Sequence, residues 1–257
     1  MSDALQSFSL HGHNALVIGG SSGIGECLAH GLQSAGARVA IGGRTAAKVE
    51  AVTKALQEQD PAARGYTVDV ADTAKLDAFL QEATAELGHI DILVTCQGIT
   101  LLKPAEDFTE ADYDAIMATN IRSVFFACTR VGRHMLARGS GTIINIGSMA
   151  AHRGLPRAAV YAVSKHGVIG LTKTLAAEWA DRGVRVNAIS PGFFSTPLTQ
   201  KAMSRERKES ALRRTPAGRF GELDELVGAA VFLASPASVF VTGTIINVDG
   251  GYLAGGI

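Results

Sequence analysis

A chain of 257 residues with 24 Lys plus Arg against 24 Asp plus Glu has a formal net charge of zero, which removes any whole-chain electrostatic case for nucleic acid or an anionic membrane. Its three cysteines, Cys27, Cys96 and Cys128, form no CxxC pair and no His/Cys ligand spacing, so neither a disulfide framework nor a metal site is expected and a reducing cytoplasm fits. The N-terminus lacks a basic stretch ahead of a long apolar block, no run approaches about 18 apolar residues, and the length suits one α/β domain over residues 1–257, so a soluble, unprocessed protein is expected.

In chain order, short β-branched runs alternate with longer amphipathic ones. Residues 14–19 ("NALVIG") read as a strand and 23–35 as a helix; 38–43 ("RVAIGG") as a strand and 46–59 as a helix. Residues 65–70 ("GYTVDV"), a helix over 73–87 and 90–95 ("IDILVT") continue the rhythm. The second half adds 141–148 ("GTIINIGS"), a helix over 161–181, 185–190 ("RVNAIS"), a helix over 222–234 and 243–251 ("GTIINVDGG"). The alternation predicts βαβ units and an α/β doubly wound parallel sheet of about seven strands with helices on both faces. Residues 193–221 break the pattern with Ser, Thr, Pro and charged residues, as in a loop or lid over a site, and substrate selection is placed there. Within it, "MSRERKESALRR" from Met203 reads either as a lid helix that recognises an anion or as a solvated face, the second for most of its charges.

Between the first strand and first helix stand Gly19, Gly23 and Gly25, with Ser21, Ser22 and Ile24 in the same turn. Glycine permits the tight turn and close backbone approach, and the free N–H groups of a helix start attract a pyrophosphate. The spacing is G-x-x-x-G-x-G, not G-x-G-x-x-G. At the end of the second strand, where an acid usually receives a ribose 2′-hydroxyl, the chain has no acid and instead Arg44. A cation at a helix start opposes the helix dipole and invites an anionic partner, so NADP(H) is expected in preference to NAD(H).

Tyr161 and Lys165 are four residues apart and share one helix face, and Ser148 closes a β-branched run upstream. Reducing a ketone needs a hydride and a proton for the developing alkoxide. A tyrosine can be that acid; its ordinary pKa near ~10 is too high for the reverse direction at neutral pH, and a neighbouring ammonium is expected to lower it. Ser148 is placed to donate a second hydrogen bond to the substrate oxygen.

Together these residues resemble the short-chain dehydrogenase/reductase family over nearly the whole chain. The glycine turn is similar to that family's T-G-x-x-x-G-x-G, with Ile18 in place of Thr, and Ser148, Tyr161 and Lys165 are similar to its S…Y-x-x-x-K set. The resemblance implies a Rossmann-type fold and a catalytic role for Asn120 in "TNIRSVFF", holding a water that relays protons to Lys165. It also implies an adenine pocket at Asp69 and Val70, a nicotinamide site at Pro191, Gly192 and Thr196, a C-terminal strand and turn from Val248, and a homotetramer. The family's N-N-A-G is here Thr95, Cys96, Gln97 and Gly98; Thr95 and Gln97 are candidates to replace the lost asparagine hydrogen bonds, with Gln97 and Gly98 at the cofactor. Cys96 reads as a small buried residue before it reads as a reactive thiol.

His152, Arg153 and Arg157 lie between Ser148 and Tyr161 and are candidate substrate contacts for a carboxylate or hydroxyls. "INIGSMAA", "LAAEWA", "TPAGRFGE" and "VDGGYLAGG" resemble the gluconate 5-dehydrogenase branch, implying a small-molecule ketone or alcohol such as 5-ketogluconate or gluconate. The alternatives are a 3-oxoacyl-thioester reductase, docking an acidic carrier through Arg138 and Arg182, and a non-catalytic NADP(H)-binding regulatory protein. Val168, Leu171, Leu175 and Trp179 give the 161–181 helix more apolar surface than one sheet face needs, so it is expected to pair with a helix of another subunit.

Overall fold

A computed structural model describes residues 4–196 and 203–255; residues 197–202 of the expected lid lie outside the described residues. The strands are β1 (Asn14–Ile18), β2 (Arg38–Gly43), β3 (Arg64–Thr67), β4 (Ile92–Thr95), β5 (Gly141–Ile146), β6 (Val184–Pro191) and β7 (Ile245–Val248). They form one sheet in the order β3-β2-β1-β4-β5-β6-β7, with every pairing parallel. This is the doubly wound, Rossmann-type arrangement expected from the alternation.

Both faces of the sheet are covered, and β1 shows how. Leu16 and Ile18 point into one apolar layer shared with α3 (Thr73–Leu87), α5 (Ser123–Arg138) and α6 (Ala159–Trp179). Ala15 and Val17 point into the other, against α1 (Gly23–Ser34), α2 (Ala46–Gln57) and α8 (Val227–Ala234). Alternate side chains of a strand face opposite ways, so a strand buried on both sides must be apolar throughout. Truncating a core residue such as Leu16 to Ala costs about 2–5 kcal/mol.

Two helices in the middle of the chain escape the sequence pattern: α4 (Glu110–Met117) and α5, joined by a π-helical turn at Ala118–Arg122. Helix α6 begins two residues earlier than expected, at Ala159, and the 222–234 segment opens with a 3-10 turn, Leu223–Leu226, before α8. The lid segment carries helix α7 (Arg205–Arg214).

The residues expected to form an intersubunit face on α6 pack within the chain. Val168, Leu175 and Trp179 are buried within the core, with Leu171 packed against it. The extra apolar surface is absorbed by α5, which comes close because Gly132 has no side chain: a Cβ there would stand 2.6 Å from the Trp179 ring. The large apolar groups left exposed on these two helices are Phe125 and Val163.

Among the described residues, no helix is long and apolar enough to cross a membrane, and no group of three or more His, Cys, Asp or Glu is placed to hold a metal ion.

Candidate active site

In an open parallel sheet, ligands bind beyond the carboxyl ends of the strands where the order of connection reverses. Here that switch lies between β1 and β4, and a cavity of about 550 Å³ opens there. The turn after β1 is built for close approach. A Cβ on Gly19 would stand 2.7 Å from the Gln97 nitrogen, and one on Gly25 would stand 2.1 Å from the Gly19 oxygen. Some helix starts are closed by side chains: Asp72 caps α3 and Thr109 caps α4 in a capping box. Ser22 and Thr45, at the starts of α1 and α2, make no side-chain cap and both line the cavity. Uncapped N–H groups and the positive end of each helix dipole therefore face one space, which suits a ligand carrying phosphates.

The structure gathers most of the expected residues around this space. Gly19, Ser21, Ser22, Gly23, Ile24 and Gly25 form one end, with Arg44, Asp69 and Val70 beside them. Gln97, Gly98, Ser148, Tyr161, Lys165, Pro191, Gly192 and Thr196 form the remainder. Sequence reasoning missed Lys48, Thr119, Ile99 and Phe194, which also line it. Lys48 carried a signal, since it stands one helical turn after Arg44; the other three arrive from separated segments.

Ser148 lies just beyond β5 and caps a 3-10 turn, its Oγ accepting from the Ala150 N–H at 3.1 Å. Tyr161 and Lys165 project from α6 into the same wall, with Lys165 Nζ 5.9 Å from the Tyr161 ring centre and donating to the Ile146 carbonyl at 2.7 Å. Burial holds the Tyr161 phenol above its ordinary value, while its hydrogen bond with Ser148 acts in the opposite direction. Burial lowers Lys165 to about 8. The expected lowering of Tyr161 by Lys165 is thus not what the geometry gives: the ammonium is turned onto the Ile146 carbonyl, and loss of solvent dominates at the phenol.

Asn120 is wholly buried in the π-helical turn, a deformation often found at functional sites. Its Oδ1 accepts from the Ile99 N–H at 2.8 Å, and its Nδ2 donates to the Ile99 carbonyl at 2.9 Å and to Ser164 Oγ at 3.1 Å. It therefore lies behind the wall, not in it, and ties Ile99 to the residue next to Lys165.

The departure at Thr95–Gly98 is compensated. Thr95 Oγ1 donates to Asn145 Oδ1 at 2.7 Å, and Asn145 Nδ2 donates to Thr172 Oγ1 at 2.9 Å, stitching β4, β5 and α6 together. Gln97 Nε2 donates to Ser123 Oγ at 3.0 Å, and Ser123 Oγ donates to the Thr119 carbonyl at 2.6 Å. The Ser123 proton is spent on Thr119, so the Gln97 amide orientation is determined; its buried Oε1 finds no partner among the described residues. The glycine cradle and the uncapped helix starts fit the pyrophosphate of a dinucleotide. Cys96 is half-buried in the cavity lining, and burial pushes its thiol up to about 12, away from the reactive thiolate.

A family profile described as enoyl-(acyl carrier protein) reductase matches residues 18–253. A D-threitol dehydrogenase of Mycolicibacterium smegmatis is 43% identical over 95% of this chain and 94% of that protein. A gluconate 5-dehydrogenase of Gluconobacter oxydans is 41% identical over 95% of this chain and 96% of its own. The chain belongs to the short-chain dehydrogenase/reductase family. Among solved structures, a gluconate 5-dehydrogenase from Burkholderia cenocepacia, in complex with NADP and tartrate, superposes with a TM-score of 0.93 at 41% identity, covering 98% of this chain and 99% of that one. This kinship supports an oxidoreductase that interconverts a secondary alcohol and a ketone.

His152, Arg153 and Arg157 are not among the residues that line the cofactor cavity. The His152 ring is 3.1 Å from Ser190 Oγ on β6, and burial lowers its pKa. Arg153 reaches the Gly255 carbonyl at 3.4 Å and lies over the Tyr252 ring. Arg138, expected to dock a carrier, is committed to Asp91 at 2.9 Å and to nearby carbonyls.

Proposed function

We propose that this protein is an NADP(H)-dependent dehydrogenase/reductase acting on a sugar acid, of the kind gluconate and 5-ketogluconate represent. The observation that carries the reading is one cavity that joins a phosphate-binding turn and Arg44 at one end to Ser148, Tyr161 and Lys165 at the other. The glycine turn and the starts of α1 and α2 would hold the pyrophosphate, and Arg44 with Lys48 would hold a 2′-phosphate. A bound nicotinamide dinucleotide supplies or accepts the hydride.

The chain's own residues manage the oxygen and its proton. Tyr161, kept protonated by burial, donates to the carbonyl oxygen during reduction and takes the proton back during oxidation. Ser148 hydrogen-bonds the same oxygen where negative charge grows, and Lys165 stabilises the phenolate after transfer. Asn120 holds Ile99 and Ser164 in place behind them. The protein is proposed to work as one domain in a reducing cytoplasm, as a homotetramer with Phe125 and Val163 in its contacts; sedimentation velocity reads the assembly.

The direct test follows the absorbance of NADPH, with NADH in parallel, on addition of 5-ketogluconate or an acetoacetyl thioester. Oxidation of NADPH with the sugar acid alone is expected. Turnover of the thioester alone would move the protein to fatty-acyl chemistry, and NADPH binding with no turnover of any ketone would favour a regulatory protein.

A further inference from the structure

Arg153 and Arg157 stand on the loop between Ser148 and Tyr161, Arg207 of α7 is hydrogen-bonded to that loop at Pro156, and none of the three pairs with a carboxylate among the described residues. Arg157 is the one non-glycine residue with positive φ among those described, at 68°. Such a backbone is costly for a long side chain and marks a place where surrounding contacts impose the geometry. Those contacts are visible: the Arg157 carbonyl accepts from the Lys103 N–H at 2.9 Å, and the Pro156 carbonyl accepts from Arg207 Nη1 of α7 at 3.3 Å. The lid helix is thereby fastened to the loop that runs from Ser148 to Tyr161. Arg153, on the same loop, places its guanidinium 5.6 Å from the centre of the Tyr252 ring. Tyr252 in turn packs edge-on against Phe193, between the cavity residues Gly192 and Phe194.

The charges are uncompensated. None of Arg153, Arg157 and Arg207 belongs to an ion pair among the described residues, whereas Arg205 on the same helix pairs with Glu209 and Lys103 pairs with Asp112. Asp249, on the turn that carries Tyr252, spends its two carboxylate oxygens on the N–H groups of Gly251 and Leu253. Arg207 is half-buried, and burial and the charge of Arg157 both oppose its protonated form. Two like charges held near one another, with Arg207 partly dried and Arg157 exposed, are unfavourable on their own, and a planar anion that accepts from both relieves the repulsion. A neutral polyol cannot.

We propose that Arg157 and Arg207 form a clamp for the carboxylate of the substrate, with Arg153 as a positioning residue stacked on Tyr252. The clamp sets the substrate class as an acid, not a polyol, and it rests on the assignment of the reacting oxygen to Ser148 and Tyr161. It also gives the lid helix a reason to carry one inward arginine among outward charges.

The test compares binding of D-gluconate with its uncharged counterpart D-glucitol by titration calorimetry, at saturating NADP⁺, in the wild type and in Arg157→Gln, Arg207→Gln, Arg207→Lys and Arg213→Gln. We expect the wild type to prefer the acid at least about tenfold, one charge-assisted contact's worth. Either glutamine variant should bring the ratio close to one, Arg207→Lys should keep part of it, and Arg213→Gln, at the outer end of α7, should keep all of it. A wild type without the preference, or a preference that survives both glutamine variants, overturns the clamp. Parallel turnover assays separate the two readings. Turnover of neutral alcohols with no acid preference sinks the clamp alone, and gluconate binding that depends on both arginines without any turnover sinks the catalytic assignment alone.

Discussion

The two ends of the cavity are made of different material. Around the phosphate turn the wall is backbone: Gly19 and Gly25 leave no room for a Cβ, and the helix starts at Ser22 and Thr45 present bare N–H groups. At the other end the wall is side chains drawn from β5, α6, the turn after β6 and the lid, including Ser148, Tyr161, Thr196 and Phe194. A backbone site binds what every dinucleotide has in common, whereas a side-chain site can be altered one residue at a time to choose a substrate. Substitutions at the first end should therefore change whether the cofactor binds, and at the second what is done with it.

The largest expected effect breaks the chemical end while sparing the other. Tyr161→Phe should reduce turnover by about 10²–10⁴-fold, the usual contribution of a positioned acid, while NADPH affinity measured by calorimetry stays near the wild-type value. Retained turnover would remove Tyr161 from the mechanism. The converse substitution, Arg44→Leu, should raise the apparent KM for NADPH about tenfold or more and leave that for NADH nearly unchanged, since one charge-assisted contact is worth about 1.5–3 kcal/mol. Equal effects on both cofactors would place Arg44 outside the phosphate site.

Gly132→Ala lies far from either end and should do neither. Its Cβ would meet the Trp179 ring at 2.6 Å, and overpacking of this kind costs about 1–3 kcal/mol. A lowered denaturation midpoint with unchanged KM values is expected; unchanged stability would show that α5 and α6 can slide apart.

The smallest effect is read from pH. Lys165 titrates at about 8 in the fold against 10.5 ordinarily. Below 8 both folded and unfolded chains carry the proton and the burial cost is full; between 8 and 10.5 the unfolded chain binds a proton that the folded one lacks, so this group's contribution to stability rises with pH across that window. Replacement by Met should flatten that rise in denaturant melts. Because Tyr161 stays protonated, alcohol oxidation should climb on the alkaline side while reduction persists at neutral pH; the opposite trend would assign the acid elsewhere.

Much of this was legible because it is local. The glycine turn, Arg44 at a helix start and the four-residue step from Tyr161 to Lys165 are short-range patterns whose geometry follows from the period of a helix or the freedom of a turn. The residues that were misjudged are those whose role depends on what packs against them. Val168, Leu175 and Trp179 looked like spare apolar surface until Gly132 let α5 approach. Arg138 looked available until Asp91 claimed it. Asn120, by contrast, was found through its motif but placed behind the wall by a π-helical turn that no spacing announces.

By itself, then, the amino-acid order determined the alternation of strands and helices, the phosphate-binding turn after the first strand and the residues that carry the chemistry, because these rest on side-chain period, backbone freedom and the direction of free N–H groups. Tertiary structure alone decided that Arg207 of the lid bonds the Pro156 carbonyl next to the strained Arg157, which carboxylates were already spent, and that Gln97 keeps a buried acceptor without a partner among the described residues. Those facts depend on contacts between segments about fifty residues apart in the chain, such as Arg207 with Pro156, and only the packed sheet and its helices bring such segments within a hydrogen bond of each other.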